Sequence, residues 1–325
     1  MIRAGPRTRE ESSPADADQR PAPVVVAVDG SDRSAGAVRY AINEARLRGG
    51  GMRMVHVVPG PLPETGLWPA EAGDVAYLER AGRGIVSREV SRARAAAPDL
   101  EIEPVLALGP RVARLVTASS SGDLMVLGRE TRRGAERLVA RATTAEVVGR
   151  VDLPVTVVPA RWQETRHGLV VVGIKTFTSA GELLTHALST AAARHAAVRV
   201  VHAVEVPALA ADLGVAGAYA EDSVATATRL LETVVGEWSA VYPTVPVEAV
   251  VLPGRPDEVL VAAAVDADVL LVARHRHGMR HPSRLGRVPR AILTACDAPV
   301  EVLPLRWTAE NMPLVLESAG EILKN

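Results

Sequence analysis

The sequence predicts an α/β protein of two tandem, doubly wound domains, each built on a five-stranded parallel sheet. Three observations carry that prediction. The first is an internal repeat: Val151-Asp152-Leu153-Pro154-Val155-Thr156-Val157-Val158-Pro159-Ala160-Arg161-Trp162 returns 145 residues later as Cys296-Asp297-Ala298-Pro299-Val300-Glu301-Val302-Leu303-Pro304-Leu305-Arg306-Trp307. Gly109 maps onto Gly254 and Asp123-Leu124-Met125-Val126-Leu127 onto Asp268-Val269-Leu270-Leu271-Val272 at the same spacing, and Val55-His56 maps onto Val201-His202 at 146. Solenoid repeats run to roughly 20–50 residues, so a period this long is a domain duplication. The second is a strict alternation of short apolar runs with segments of helical period, the pattern of parallel strands joined by right-handed helical crossovers, with helices on both faces. The third is the core material. One Phe, four Tyr and four Trp in 325 residues leave packing to Val, Leu, Ile and Ala, the residues of buried parallel strands.

In the first copy, Val24 to Val28 is a continuous apolar run ending at Asp29-Gly30-Ser31, a buried strand entering a turn. A helix follows, with Ser34 or Asp32 as cap and Ala37, Ala41 and Ala45 as a small-residue face for close packing on a sheet. Met54 to Val58 is the second strand, and the Pro- and Gly-rich stretch 59–73 is a surface loop. Asp74 to Ala97 carries Val75, Leu78, Ile85, Val86 and Val90 at helical spacing. Ile102 to Leu108 is a third strand, Pro110 to Ser120 a short helix, Leu124 to Leu127 a fourth strand, Ala135 to Arg150 a helix and Val155 to Val158 a fifth strand. The second copy repeats the order, with strands near 169–174, 198–204, 246–252, 268–272 and 299–303 and helices near 180–194, 219–242, 256–265 and 285–296. Its long helix shows an apolar face at Val224, Leu231, Val234, Val235, Trp238 and Val241.

These elements divide the chain into a Pro-, Ala- and Arg-rich leader over 1–22, expected to be disordered, a domain over 23–160, a linker over 161–167, a second domain over 168–305 and a tail over 306–325. The tail places Leu314, Leu316, Ile322 and Leu323 among polar residues, as in a short docked helix. A net charge of −1 gives no global attraction to nucleic acid or anionic membrane. A single cysteine, Cys296, excludes an internal disulfide framework and a Cys-rich zinc site, and its place before an apolar strand reads as a small buried hydrophobe. No apolar run approaches the ~20 residues of a membrane span and no signal-peptide core is present, so a cytoplasmic location is expected.

In doubly wound sheets, ligands bind at the carboxyl ends of the strands where strand order reverses. The loops there in the first copy hold Asp29-Gly30-Ser31 and Gly128-Arg129-Glu130-Thr131-Arg132-Arg133-Gly134. A strand-end carboxylate accepts hydrogen bonds from a ribose hydroxyl or an adenine amine, and a glycine-bearing loop before a helix offers amides to phosphate. An Asp-Gly after a strand is also an ordinary turn. His56 and His202 stand at equivalent strand ends beside this pocket and read as hydrogen-bonded structural histidines.

The run Val24-Val25-Val26-Ala27-Val28-Asp29-Gly30-Ser31-Asp32-Arg33-Ser34, the later Val55-His56-Val57-Val58, the Gly-Pro or Gly-Arg-Pro that opens the third helix, and the closing Pro-Val-x-Val-x-Pro together resemble the universal stress protein family in its tandem form. The resemblance covers about 22 to 160 and 167 to 305. It implies strand order 3-2-1-4-5 and, in one branch, ATP held by Gly-x2-Gly-x9-Gly-Ser/Thr after the fourth strand. In the first copy those positions fall on Gly128, Thr131, Arg141 and Ala142, and in the second on Ala273, Arg276, Gly286 and Arg287, so each copy keeps one glycine. A Cβ or an Arg side chain fills the space that glycine leaves to phosphate. The first-strand carboxylate is kept as Asp29 and becomes Lys175 in Ile174-Lys175-Thr176-Phe177.

Carried onto this chain, the resemblance implies an ATP site in the first copy alone, formed by Val28, Asp29, Gly30, Val57, Gly128, Arg129, Thr131, Thr143 and Thr144, with the second copy degenerate. Lys175, Arg276 and Arg287 would converge on the second copy's old phosphate site, within a basic stretch, 274–290, that also reads as a solvated loop. Two functions stay open: an adenine-nucleotide sensor, or a scaffold with both pockets vestigial whose output is binding an unidentified protein. His275, His277 and His281 lack a clustered further ligand, so no metal is expected. No Ser-His-Asp set, His-Glu-x-x-His or phosphate loop ending in Gly-Lys-Ser/Thr is present, and no catalysis is expected. The fifth strands, 155–158 and 300–303, are apolar edges, which are pairing liabilities; antiparallel pairing about a pseudo-twofold would remove both and make the halves a pseudo-dimer. A homodimer of the whole chain is a further expectation.

Overall fold

The computed structural model describes residues 21–59, 72–129, 135–164, 166–177, 180–275 and 285–305. The expected leader over most of 1–22, the core of the loop 59–73 and the tail helix lie outside the described residues. Half one consists of β1 (Val24–Ala27), α1 (Ser34–Arg48), β2 (Met52–Val58), α2 (Ala72–Ala96), β3 (Ile102–Leu108), α3 (Arg111–Ser119), β4 (Leu124–Gly128), α4 (Ala135–Arg150) and β5 (Val155–Val158). Half two consists of β6 (Leu169–Ile174), α5 (Ala180–Arg194), β7 (Ala197–Val204), α6 (Ala208–Asp212), α7 (Ala216–Val241), β8 (Val247–Pro253), α8 (Pro256–Ala263), β9 (Val269–His275), α9 (Arg287–Ala295) and β10 (Val300–Leu305).

The ten strands form one sheet, ordered β3-β2-β1-β4-β5-β10-β9-β6-β7-β8. Each half therefore has order 3-2-1-4-5 in its own strands, and β1 and β6 are the switch points. All pairings within a half are parallel; β5 and β10 pair antiparallel and join the halves. Neither fifth strand is an edge, as the apolar β5, buried along its whole length, requires.

Among the described residues, three apolar cores follow from this layering. One lies under α1 and α2 and includes Ala37, Ala41, Ala45, Val86 and Val90; a second lies under α5 and α7 and includes Leu184, Leu188, Leu231 and Val235. The third lies on the opposite face and runs without a break from Val25 and Met125 through Val155 and Val302 to Val171 and Leu270. The halves thus share a core as well as a sheet.

Three local expectations need correction. Neither Ser34 nor Asp32 caps α1 by its side chain: Arg33 takes the cap position, and the Ser34 hydroxyl is drawn to Asp29 instead. Val241 is exposed, because at about 100° per residue it falls roughly 80° off the face set by Leu231. The short helix α6 carries no apolar period of its own and was not foreseen.

Candidate functional site

The turn after β1 is organised by one carboxylate. Asp29 Oδ1 accepts from the Ser31 amide at 2.9 Å, the Ser31 hydroxyl at 2.5 Å and the Ser34 hydroxyl at 2.9 Å. The Asp29 amide in turn donates to Ser34 Oγ at 3.1 Å. Burial works to raise the Asp29 pKa, but the bonds from Ser31 and Ser34 and the charge of Arg33 outweigh it and hold the carboxyl below its ordinary 3.8. Gly30 makes the turn possible at φ +79°, a left-handed conformation that suits glycine.

Beside this turn the end of β4 comes close. A Cβ on Gly128 would stand 3.1 Å from the Arg33 carbonyl oxygen, a tight contact, so close packing favours glycine here whether or not a ligand is bound. His56 at the end of β2 is buried, and its Nδ1 donates to the Val28 carbonyl at 2.8 Å; His202 repeats the bond to the Ile174 carbonyl at 3.0 Å. Both histidines therefore act as struts between the first and second strands of their halves.

These elements enclose a cleft of about 130 Å³ at the carboxyl ends of β1 and β4. Of the expected site residues, Val28, Asp29, Val57, Gly128, Arg129, Thr143 and Thr144 line it; Gly30 shapes the turn beside it, and Thr131 lies outside the described residues. Arg33 and Arg111 also line it and were not singled out from sequence, although Arg111 directly follows the Gly109-Pro110 step at a helix N-terminus.

Arg129 has a second commitment. Its guanidinium reaches across the molecule to the Cys296 carbonyl and to Asp297 Oδ1 at 3.1 Å. Its counterpart Arg274 does the same in reverse, donating to the Val151 carbonyl with Asp152 Oδ1 at 3.9 Å. Arg274 is buried, not part of a solvated basic loop. Cys296, at the receiving end, is buried, and that burial pushes its thiol pKa up.

The equivalent cavity in half two is larger, about 540 Å³. Gly173, Ile174, Ala180, Leu183, Val272 and Leu305 give it apolar walls, while Lys175 and Arg287 bring cations to it. Arg287 Nη2 stands 3.6 Å from Glu205 Oε1. Arg276, His277, His281 and Gly134 lie outside the described residues, as do the side chains of Arg141, Ala142 and His275. Among the described residues no group of three His, Cys, Asp or Glu is placed to hold a metal, and no helix is long and apolar enough to cross a membrane.

Comparison with known proteins agrees with this architecture. The universal stress protein family model matches residues 22–159 and 168–304. A universal stress protein of Mycobacterium tuberculosis is 32% identical over 301 residues, covering 86% of this chain and 96% of that protein. A second from the same organism is 28% identical over 305 residues, covering 86% and 94%. The crystal structure of a universal stress protein from Archaeoglobus fulgidus matches 88% of this chain and 97% of its own with a TM-score of 0.65; at 16% identity this is a likeness of fold.

Proposed function

Because the chain belongs to the universal stress protein family, in tandem form, we propose that it is a stress-response protein that acts by binding, with an adenine nucleotide as the ligand of half one. The observation that supports this is convergence. Residues from β1, β2, β4 and α4, far apart in sequence, line one cleft at the switch point of the sheet. In this reading the Asp29 carboxylate takes the nucleoside end, and Thr143 and Thr144, which line the same cleft, take the phosphate end. The fit is partial. The cleft of about 130 Å³ is smaller than the ~300 Å³ at the low end of small-molecule sites, so it would take one end of a nucleotide and not the whole.

The cavity of half two favours a second reading. Its 540 Å³ is ample, but Lys175 stands where the nucleoside carboxylate would be. Its chemistry suits an apolar body with an anionic group held by charge.

Mass spectrometry of the denatured protein, with titration calorimetry of ATP, decides between them. The nucleotide reading expects ATP binding in the full chain that Asp29→Ala weakens at least tenfold and Lys175→Ala leaves unchanged. Binding lost with Lys175→Ala, and falling steeply with salt, selects half two. No adenine nucleotide carried and none bound at millimolar ATP returns the scaffold reading.

A further inference from the structure

The junction of the halves turns on one residue pair. In the ladder between β5 and β10, Glu301 lies opposite Thr156, flanked by Val300 opposite Val157 and Val302 opposite Val155. Thr156 is also the residue that corresponds to Glu301 in the sequence repeat. The pseudo-twofold axis therefore passes through this pair, and pairing of either half with a copy of itself would set the residue there against its own duplicate.

The side chains around the axis are arranged for unlike halves. Helices α1 and α5 are both 15 residues long and align end to end in the repeat, so Tyr40 corresponds to His186, Glu44 to Thr190 and Arg48 to Arg194. Half one carries Glu44 on its helix and Thr156 on its strand; half two carries Thr190 on its helix and Glu301 on its strand. Glu and Thr have changed places. Glu301, 1% exposed, accepts from Thr156 Oγ1 at 3.1 Å across the junction and from His186 Nε2 within its own half. Glu44, also 1% exposed, accepts from Arg194 across the junction and from Arg48 Nε at 3.4 Å, while Arg194 Nη2 donates to the Tyr40 hydroxyl at 3.3 Å. Each buried carboxylate is thus completed by a donor from the other half.

We propose that Glu301 selects the partner of β10: the strand accepts β5 of the first half and rejects another β10. Two second halves brought together would place two buried carboxylates face to face, where the chain now has a carboxylate facing a hydroxyl. Like charges directly opposite in a ladder repel, and burial leaves little solvent to screen them. Two first halves would place threonine against threonine, which a ladder tolerates. The junction therefore rejects the pairing of two second halves and closes off the route to assemblies joined through β10 alone.

Thr156→Glu in the full chain imitates the rejected pairing, and Thr156→Gln supplies nearly the same bulk without charge. The expected result is a fall in melting temperature near neutral pH of roughly 10 °C for Thr156→Glu and less than half of that for Thr156→Gln. The Thr156→Glu loss should shrink as the pH is lowered toward about 5, because protonating one of two facing carboxylates relieves them. The native pair has the opposite sign. Burial works against the Glu301 carboxylate, but His186, then Arg48 and Arg194, hold it at about 2 against an ordinary 4.5, so its contribution is lost as the pH falls through that range. Equal losses for the two variants, or a Thr156→Glu loss that acidification does not reduce, overturn the proposal. If Thr156→Glu does not fold at neutral pH, adding Glu301→Gln must restore folding, and failure to do so overturns it equally.

Discussion

The two halves of this protein share a frame and differ in what they place on it. Each has the same strand order, the same histidine strut from second strand to first, and the same arginine reaching across to the far half. At the ligand-facing edge the resemblance stops. Half one keeps Asp29 and its serines around a cleft of about 130 Å³; half two has Lys175 and Ala180 at the matching positions around about 540 Å³. The half that keeps the carboxylate proposed for a nucleoside has little room, and the half with room carries a cation in its place. A duplicated fold can hold its frame while its two sites drift apart, because struts and core are fixed by packing and the rim is not.

The strongest test of that shared frame is a place where the halves differ in tightness. A Cβ on Gly36 in α1 would stand 2.2 Å from the Pro159 carbonyl oxygen, a backbone atom that cannot swing aside. The same position in α5 is Glu182, which is exposed. Gly36→Ala should cost about 3 kcal/mol, while Glu182→Ala stays within about 0.5 kcal/mol. Urea unfolding of the two variants checks the difference. Similar costs would mean that the linker after β5 does not lie as tightly on α1 as it does here.

The two cross-junction arginines sharpen the comparison next. Arg274 is 6% exposed and bonded to a carbonyl, whereas Arg129 is 18% exposed and bonded partly to Asp297, itself 98% exposed. Removing a charged donor from a buried carbonyl costs more than removing one beside water. Arg274→Ala should lose about 2–3 kcal/mol and Arg129→Ala about 1 kcal/mol, read from the same denaturation curves. The reverse order would show that the pseudo-symmetric bonds are not ranked by burial.

Much of this was legible in the sequence, and the exceptions share a cause. Elements such as 102–108, 135–150, 155–158, 169–174 and 180–194 follow from period and repeat, and the pairing of β5 with β10 follows from two apolar edges that need covering. The candidate cleft was legible as a set of loops, because switch-point topology brings β1, β2 and β4 together. What could not be read is where side chains go once they leave their own element. Arg129 sits on a loop of the family's ligand motif yet turns to the other half. Glu44 offers the sequence only its i+4 partner Arg48; the Arg194 that completes it lies 150 residues further on. The 130 and 540 Å³ volumes likewise depend on how rim side chains pack, which spacing does not encode.

The smallest predicted effect isolates the acid side of the half-one turn. Asp29 is ionised over most of the pH range and its folded pKa is depressed below 3.8, so its contribution to stability is present above that value and is lost as the pH falls through the folded one. Asp29→Asn keeps the shape of the side chain and removes that dependence. Because the side chain is still reached by water, the difference in stability from the parent near neutral pH should be below about 1 kcal/mol, and it should close as the pH is taken down through the depressed folded pKa. Half two has Lys175 in place of the carboxylate and Ala180 in place of the serine that donates to it, so it contributes no matching acid limb. Melting temperatures of the parent and Asp29→Asn, followed from neutral pH into acid, test this. A gap that stays constant through the acid range would show that the turn is held by its backbone and by Gly30 and not by the ionised carboxylate, and that the contrast between Asp29 and Lys175 concerns ligand chemistry alone.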